Sequence, residues 1–221
     1  MILLRAAATC LLLAAPRALA ATDLVVSPAG PVRTITAALA AARPGDRIVI
    51  EAGTYYEPTI TVRTPRLTIE GHGWPVLDGK GERTVLLIQA DDVTVRGLVV
   101  SHTGVAQIED RAGIRVQNAR RCLIEGNRLR DNLFGIYLEQ AADCTVRHND
   151  VSAHGVTQNT SGNGIHLWHS PNALIEDNHV DGHRDGIYFE FSEHGRTRRN
   201  ISEHSERYGL HFMFSLSLIH I

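Results

Sequence analysis

Eight side chains that could contact a metal ion or a partner recur at fixed positions in the second half of the sequence, and a ninth lies beside them. Two and four residues after successive repeated glycines stand Tyr137 and Glu139, His166 and Trp168, Tyr188 and Glu190, and His211 and Met213, and His169 directly follows Trp168. We name these nine residues the candidate face. Imidazole, carboxylate and thioether groups together suit copper better than calcium or magnesium. Aromatic rings on one exposed surface equally suit the docking of a protein partner.

A repeat must position the candidate face. The repeat begins at Gly113, Gly135, Gly164, Gly186 and Gly209, in steps of 22, 29, 22 and 23 residues. A period in the low twenties indicates a solenoid, in which each coil buries its apolar side chains only by stacking on its neighbours. Apolar and polar residues alternate after each glycine, as in a β-strand, and two further short apolar runs follow it. Three short strands per coil predict an all-β fold, a right-handed parallel β-helix.

The alternation assigns the candidate face to the outside of one sheet of this solenoid. Its members with the chemistry to contact copper are His166, Glu190, His211 and Met213. Histidines two coils apart would be about 10 Å distant and could not share one ion unaided. We therefore predict a partner-docking face with weak, transient copper contacts. A sheet surface without any function is the alternative.

The same alignment predicts the interior. Two apolar columns should fill it, one of Ile114, Ile136, Ile165, Ile187 and Leu210 and one of Val116, Leu138, Leu167, Phe189 and Phe212. Asn127, Asn149, Asn178 and Asn200 keep the coil period, so we expect a structural column of amides that bond the coils above and below. Cys122 and Cys144 are 22 residues apart and should point inward in parallel. That geometry is poor for a disulfide, and we interpret the two as buried free thiols.

The segment before the repeats predicts an exported protein. Residues 1–20 contain Arg5, an apolar run and Ala18-Leu19-Ala20, which together indicate a cleaved signal peptide and a periplasmic location. Residues 34–43 place apolar side chains on one face behind Thr34 as N-cap, and predict a short helix that closes the first coil. Residues 21–215 should then form one β-helix domain.

The charge of the chain argues against a nucleic-acid partner. The 221 residues carry a net charge of −2 at pH 7, with 22 basic and 24 acidic side chains. This balance gives no positive electrostatic potential that would attract the phosphate backbone of a nucleic acid. Nine of the twelve histidines lie between His148 and His211, where the regular repeat is found.

Two segments closely resemble the NosD family: GNGIHLWHSPNALIEDNHVDGHRDGIYFEFS from Gly162 and RYGLHFMFS from Arg207. This resemblance implies a periplasmic accessory protein for the maturation of nitrous oxide reductase. It also implies the partners, namely the reductase apoprotein, a membrane ABC transporter and a copper chaperone, which together assemble the copper centre. It supplies no copper ligands, so the candidate site rests on geometry.

The end of the chain departs from that family. The family continues for many more coils after FMFS, whereas this chain ends in LSLIHI. We interpret residues 216–221 as a non-native tail and residues 21–215 as the N-terminal part of a longer solenoid. A natural short strand at 216–221 is the alternative.

A polysaccharide-active β-helix enzyme (a lyase, hydrolase or epimerase) is the alternative function. Such a site needs paired carboxylates in a groove or an aspartate cluster for calcium. Only Glu139 and Glu190 are loosely aligned among the outward acids. The run from Asp181 to Asp185 is the best catalytic candidate, and we interpret it as a solvated loop. We therefore expect no catalytic residue and no enzymatic activity.

Overall fold

The computed structural model describes residues 21–106, 108–154 and 160–216, and the backbone of residues 219–220. The predicted signal peptide lies outside the described residues. In chain order the first elements are β1 (Asp23–Val26), α1 (Ile35–Ala41), β2 (Arg47–Ile50), β3 (Thr54–Tyr55), β4 (Ile60–Val62), β5 (Thr68–Gly71), β6 (Val76–Asp78), β7 (Leu86–Ile88), β8 (Thr94–Arg96), β9 (Val99–Ser101), β10 (Ala112–Gln117) and β11 (Leu123–Glu125). They are followed by β12 (Arg128–Arg130), β13 (Phe134–Glu139), β14 (Thr145–Arg147), β15 (Asp150–Ser152), β16 (Ile165–Trp168), β17 (Leu174–Glu176), β18 (His179–Asp181), β19 (Asp185–Glu190), β20 (Arg196–Arg198), β21 (Ile201–Glu203), β22 (Tyr208–Met213) and β23 (Ile219–His220).

The strands form three parallel sheets that run the length of the solenoid. The first sheet has the order β1-β2-β5-β8-β11-β14-β17-β20-β23. The second has β4-β7-β10-β13-β16-β19-β22, and the third has β3-β6-β9-β12-β15-β18-β21. From β2 to β22 each coil contributes one strand to each sheet, β1 and β23 extend the first sheet at its two ends, and successive coils pair in parallel. The predicted all-β parallel β-helix is therefore confirmed.

The two predicted apolar columns lie inside the solenoid. The register pairs Ile114 with Ile136, Ile165 and Ile187 in turn, and the accompanying Val116 column runs in parallel to Phe189. All of these side chains are buried. In β22, which is the last strand of its sheet, Leu210 is only half-buried and Phe212 is 39% exposed. Coil stacking therefore buries each column wherever a coil lies on both sides.

The repeated glycine is needed because neighbouring coils approach each other closely. A Cβ atom on Gly135 would lie 2.4 Å from Val151 Cγ1 and 2.5 Å from the Gly164 carbonyl oxygen. Real Cβ atoms essentially never approach other atoms so closely. Glycine is thus required at this position because successive coils approach each other closely, and not because the chain makes a special turn there.

The asparagine column is present and is structural. Asn149 Nδ2 donates to Asn178 Oδ1 at 3.0 Å and to the Ile124 carbonyl at 2.9 Å, and Asn149 Oδ1 accepts from the Asn127 amide at 3.0 Å. The same pattern continues from Asn178 to Asn200. Side-chain amides thereby satisfy backbone groups that the turn would otherwise leave unpaired.

The cysteines and the capping helix also agree with the sequence prediction. Cys122 and Cys144 are buried free thiols, and the Cys122 amide donates to Cys144 Sγ at 3.4 Å. Helix α1 begins after Thr34, whose side chain accepts a hydrogen bond from the Ala37 amide, and it buries Ile35 and Ala38 against the first coil. Among the described residues, no helix has the length and hydrophobicity needed to span a membrane. The backbone of Ile219–His220 pairs with Arg196 and Thr197.

Candidate functional site

The outer face of the second sheet carries a continuous stack of rings. The residues two positions after the repeated glycines are in register, so Arg115, Tyr137, His166, Tyr188 and His211 lie on five successive strands. Ring centroids are 4.7 Å apart between Tyr137 and His166, 4.9 Å between His166 and Tyr188, and 4.5 Å between Tyr188 and His211. The Arg115 guanidinium lies 5.0 Å from the centroid of the Tyr137 ring. Strand spacing therefore sets ring spacing, as expected for neighbouring residues of a parallel sheet.

This stacking makes three members of the candidate face less accessible than the sequence predicts. Tyr137, His166 and Tyr188 point outward from the coil, yet all three are buried. Each ring covers the face of its neighbour, and Phe134 packs against both Tyr137 and His166. The expectation of exposed aromatic faces is wrong for these residues, because each ring stacks on the ring of the neighbouring coil.

The candidate face nevertheless lines one groove of about 570 Å³. Eight of its nine members are found there: Tyr137, Glu139, His166, Trp168, Tyr188, Glu190, His211 and Met213. Phe134, Asp110, Arg184 and Arg207 complete the walls. His169 is not part of the lining. Its ring makes an edge contact with Trp168, with centroids 4.5 Å apart, and stacks on exposed Phe191 at 5.0 Å.

Both carboxylates that the sequence singled out are already paired. Glu139 Oε2 accepts from Arg115 Nε at 2.7 Å and from Gln117 Nε2 at 2.9 Å. Glu190 Oε2 lies 3.3 Å from His166 Nε2, and this hydrogen bond holds the pKa of the Glu190 carboxyl below its usual range. Burial raises the pKa of the Tyr137 phenol. At neutral pH the groove thus presents Glu190 as a carboxylate and Tyr137 as a neutral phenol.

The four residues predicted to contact copper do not converge on one point. The Tyr188 ring lies between the imidazoles of His166 and His211, and the Tyr188 hydroxyl donates to Met213 Sδ at 3.3 Å. His211 Nδ1 lies 3.3 Å from the Asp185 carboxylate. Among the described residues, histidine, cysteine and acidic side chains bring three ligand atoms within 4.8 Å of one another only at Asp181, Glu203 and His204, outside the groove. The groove residues therefore do not fit a closed site for a single ion.

The run from Asp181 to Asp185 is not the solvated loop that the sequence suggests. His183 and Asp185 are buried, and Asp185 begins β19. The Asp185 carboxylate is paired with the Arg207 guanidinium. The sequence analysis did not place Asp185 or Arg207 beside the groove, although Asp185 contacts Arg207 and His211, which line it. Strict alternation places Asp185 on the same side as Ile187, whereas its carboxylate meets Arg207 and His211 at the start of the strand.

Comparison with known proteins identifies the fold and a set of relatives. Residues 83–219 match a family model described as "right handed beta helix region". Over 133 residues the chain is 32% identical to the "probable ABC transporter binding protein NosD" of Stutzerimonas stutzeri, covering 59% of this chain and 30% of that protein. Its identity to the protein of the same description from Pseudomonas aeruginosa is 34% over 112 residues, covering 50% of this chain and 26% of that one. The chain thus matches less than a third of the length of either relative.

Solved structures share the fold at low sequence identity. A pectate lyase superposes with a TM-score of 0.61 at 17% identity, covering 81% of this chain and 54% of the lyase. The catalytic domain of an α-1,3-glucanase superposes with a TM-score of 0.66 at 14% identity, covering 91% of this chain and 40% of that domain. At such identities the likeness extends to the solenoid alone.

Proposed function

Because this chain belongs to the right-handed β-helix family, we propose that it is a periplasmic, non-catalytic accessory protein whose groove docks a protein partner. Its similarity to NosD proteins described as ABC transporter binding proteins supports an association with such a transporter. The proposed task is the assembly of the copper centre of nitrous oxide reductase, together with the transporter and a copper chaperone. The reductase apoprotein is the proposed occupant of the groove.

The observation that carries this proposal is the groove lined by eight of the nine candidate-face residues. Phenol, imidazole and indole groups lie there together with carboxylates and two arginines. Such mixed aromatic and charged surfaces are typical of protein interfaces, where tyrosine, tryptophan and arginine contribute most of the binding energy. The groove extends over adjacent coils of one rigid sheet, so a docking segment would meet a preformed surface.

The charges of the groove do not support the enzyme alternative. A general acid in glycoside cleavage needs a carboxyl whose pKa is raised. The pKa of Glu190 is instead lowered by His166, and Glu139 is held by Arg115 and Gln117. The ring faces on which a sugar would stack are covered by neighbouring rings. Docking therefore agrees better with the geometry than depolymerisation does.

Copper enters this proposal as cargo rather than as a resident cofactor. His211 and Met213 lie on the last strand of the second sheet, two residues apart and on the same side. Their imidazole and thioether are the pair in the groove best suited to a soft copper ion. We propose transient contacts there, with Glu190 and His166 as further contacts one and two coils away.

The decisive experiment measures binding of the purified protein to apo nitrous oxide reductase. We expect Trp168→Ala, which removes a large half-buried ring from the groove, to weaken binding at least tenfold. Thr145→Ala, on the first sheet and outside the groove, is the matched control and should bind like the wild type. Equal binding by the two variants, or no binding by the wild type, would refute docking in this groove.

Copper is tested separately. Titrations with copper(I) and copper(II) should show weak binding that His211→Ala and Met213→Ala reduce. Unchanged copper affinity in both variants, together with lost reductase binding in Trp168→Ala, would leave docking as the only function of the groove.

A further inference from the structure

A second cluster of ionisable side chains lies away from the groove, at the end of the third sheet. Asp181 of β18 and Glu203 of β21 are directly paired residues on neighbouring parallel strands. Ligand atoms of Asp181, Glu203 and His204 all lie within 4.8 Å of one another. His204 Nδ1 is 2.7 Å from Asp181 Oδ1, and His179 Nε2 is 2.8 Å from Glu203 Oε1. Two coils thus bring two imidazoles and two carboxylates together.

The way in which these carboxylates are paired differs from that of the in-register acids on the first sheet. On the first sheet, in-register acids alternate with arginines: Arg96 pairs with Glu70 at 2.8 Å, Arg147 with Glu125 at 2.7 Å, and Arg198 with Glu176 at 2.7 Å. Like charges directly opposite each other on adjacent strands are otherwise destabilising. In the part of the chain that the structure describes, neither Asp181 nor Glu203 has an arginine or lysine ion-pair partner.

Among the described residues, the partners of this acid pair are therefore imidazoles, which are also the commonest protein ligands of transition metals. The two in-register carboxylates face each other without a fixed cation between them, and a neutral imidazole has a nitrogen lone pair available for coordination. The cluster then has the charge and the donor atoms of a cation site.

We propose that Asp181, Glu203 and His204, whose ligand atoms all lie within 4.8 Å of one another, bind a divalent transition-metal ion, and that His179 holds Glu203 in place at the edge of the site. An imidazole nitrogen beside carboxylate oxygens is typical of the ligands of zinc and of its first-row neighbours, whereas calcium and magnesium prefer sites made of oxygen alone. All four side chains are at least one-third exposed, so an ion can reach them from solvent. The site is separate from the groove and does not depend on the proposed function.

The test is calorimetric titration of the purified full chain with Zn²⁺, repeated with Co²⁺ while the visible absorption of the bound ion is recorded. The variants are Glu203→Gln, His204→Gln and the two combined. These side chains are exposed, so folding should be unaffected, and circular dichroism checks this. His102→Gln is the matched control. His102 Nδ1 lies 3.1 Å from Asp78 in a comparable histidine–aspartate pair, but the residue opposite Asp78 on the next strand is Ser101 rather than a second acid.

We expect one saturable Zn²⁺ site that the combined variant weakens at least tenfold and that His102→Gln leaves unchanged. The groove variant His211→Ala should also leave it unchanged, which separates this site from copper contacts in the groove. Excess Ca²⁺ should not displace the Zn²⁺. A wild-type chain without saturable Zn²⁺ binding, or equal affinity in the wild type and the combined variant, would overturn the proposal.

Discussion

The carboxylate of Asp185 is fully buried, and the guanidinium of Arg207 on the next coil is paired with it, with Nε 3.1 Å from Oδ1. A buried carboxylate is tolerated only when a partner compensates for its lost hydration. His211 contributes a second contact at 3.3 Å. One ion pair therefore joins the last two coils of the second sheet at the wall of the groove.

Removing the arginine should destabilise these coils. We expect Arg207→Gln to lower the free energy of unfolding by about 3 kcal/mol, because it leaves the buried Asp185 charge without its main partner. Arg121→Gln is the control, since its ion pairs are with the solvent-accessible Asp91 and Asp92, and it should cost far less. Urea denaturation measures both. Adding Asp185→Asn to Arg207→Gln should recover part of the loss, and a double variant no more stable than Arg207→Gln would contradict this explanation.

The loss of stability caused by substituting a repeated glycine should depend on whether a further coil packs beside it. Gly135→Ala places its Cβ 2.5 Å from the Gly164 carbonyl, so the backbones must separate, at a cost of about 3 kcal/mol. Gly209→Ala meets nothing closer than 3.5 Å and should change stability by less than about 0.5 kcal/mol. Thermal unfolding of the two variants measures the difference. Equal effects would mean that the glycines are required for another reason.

The asparagine column should contribute most where it is fully buried. Asn149→Ala leaves the Asn127 amide and the Ile124 carbonyl without their partners, so we expect a loss of at least about 2 kcal/mol. Asn200→Ala breaks comparable bonds, but Asn200 is half-buried. Water can replace its amide, and the loss should be smaller. Chemical denaturation that ranks Asn200→Ala as the more damaging change would contradict this account.

Acid should destabilise the protein through His183. Burial lowers the pKa of His183 to about 4, and neither ring nitrogen has a hydrogen-bond partner among the described residues. The pKa of His183 in the folded protein lies below its value in the unfolded chain, which is about 6.5. The contribution of neutral His183 to the free energy of unfolding is therefore fully present above about pH 6.5 and is lost as the pH falls toward 4. The loss should be on the order of 3 kcal/mol.

The measurement compares the wild type with His183→Leu by urea denaturation between pH 7 and pH 4.5. The variant should lose the part of the pH dependence that His183 causes. His154→Gln is the control with the opposite sign, because Asp131 raises the pKa of His154, so its contribution is present at low pH and is lost as the pH rises above the folded value. An NMR titration in which His183 titrates near 6.5 would contradict the prediction.

The candidate face shows how much of the site could be predicted from the sequence. Period and alternation placed His166, Tyr188 and His211 in register on one outer surface, and the register confirms it. Alternation gives only the side of the sheet, however, and says nothing about contacts along the solenoid axis. These rings are buried because each one stacks on the ring of the next coil, and this stacking depends on side-chain conformations. For the same reason, no sequence pattern revealed that Tyr188 lies between the two imidazoles.

The sequence by itself determined the solenoid, its three-strand coil, the buried apolar columns, the asparagine ladder and the capping helix, because each of these follows from a repeated local pattern. Only the tertiary structure decided which outward residues meet. The Asp185–Arg207 pair and the cluster at Asp181, Glu203 and His204 join residues 22 or 23 positions apart at strand ends, where the chain bends and simple alternation fails. There the exact rise and turn of each coil, rather than residue type, sets the distances between charged atoms.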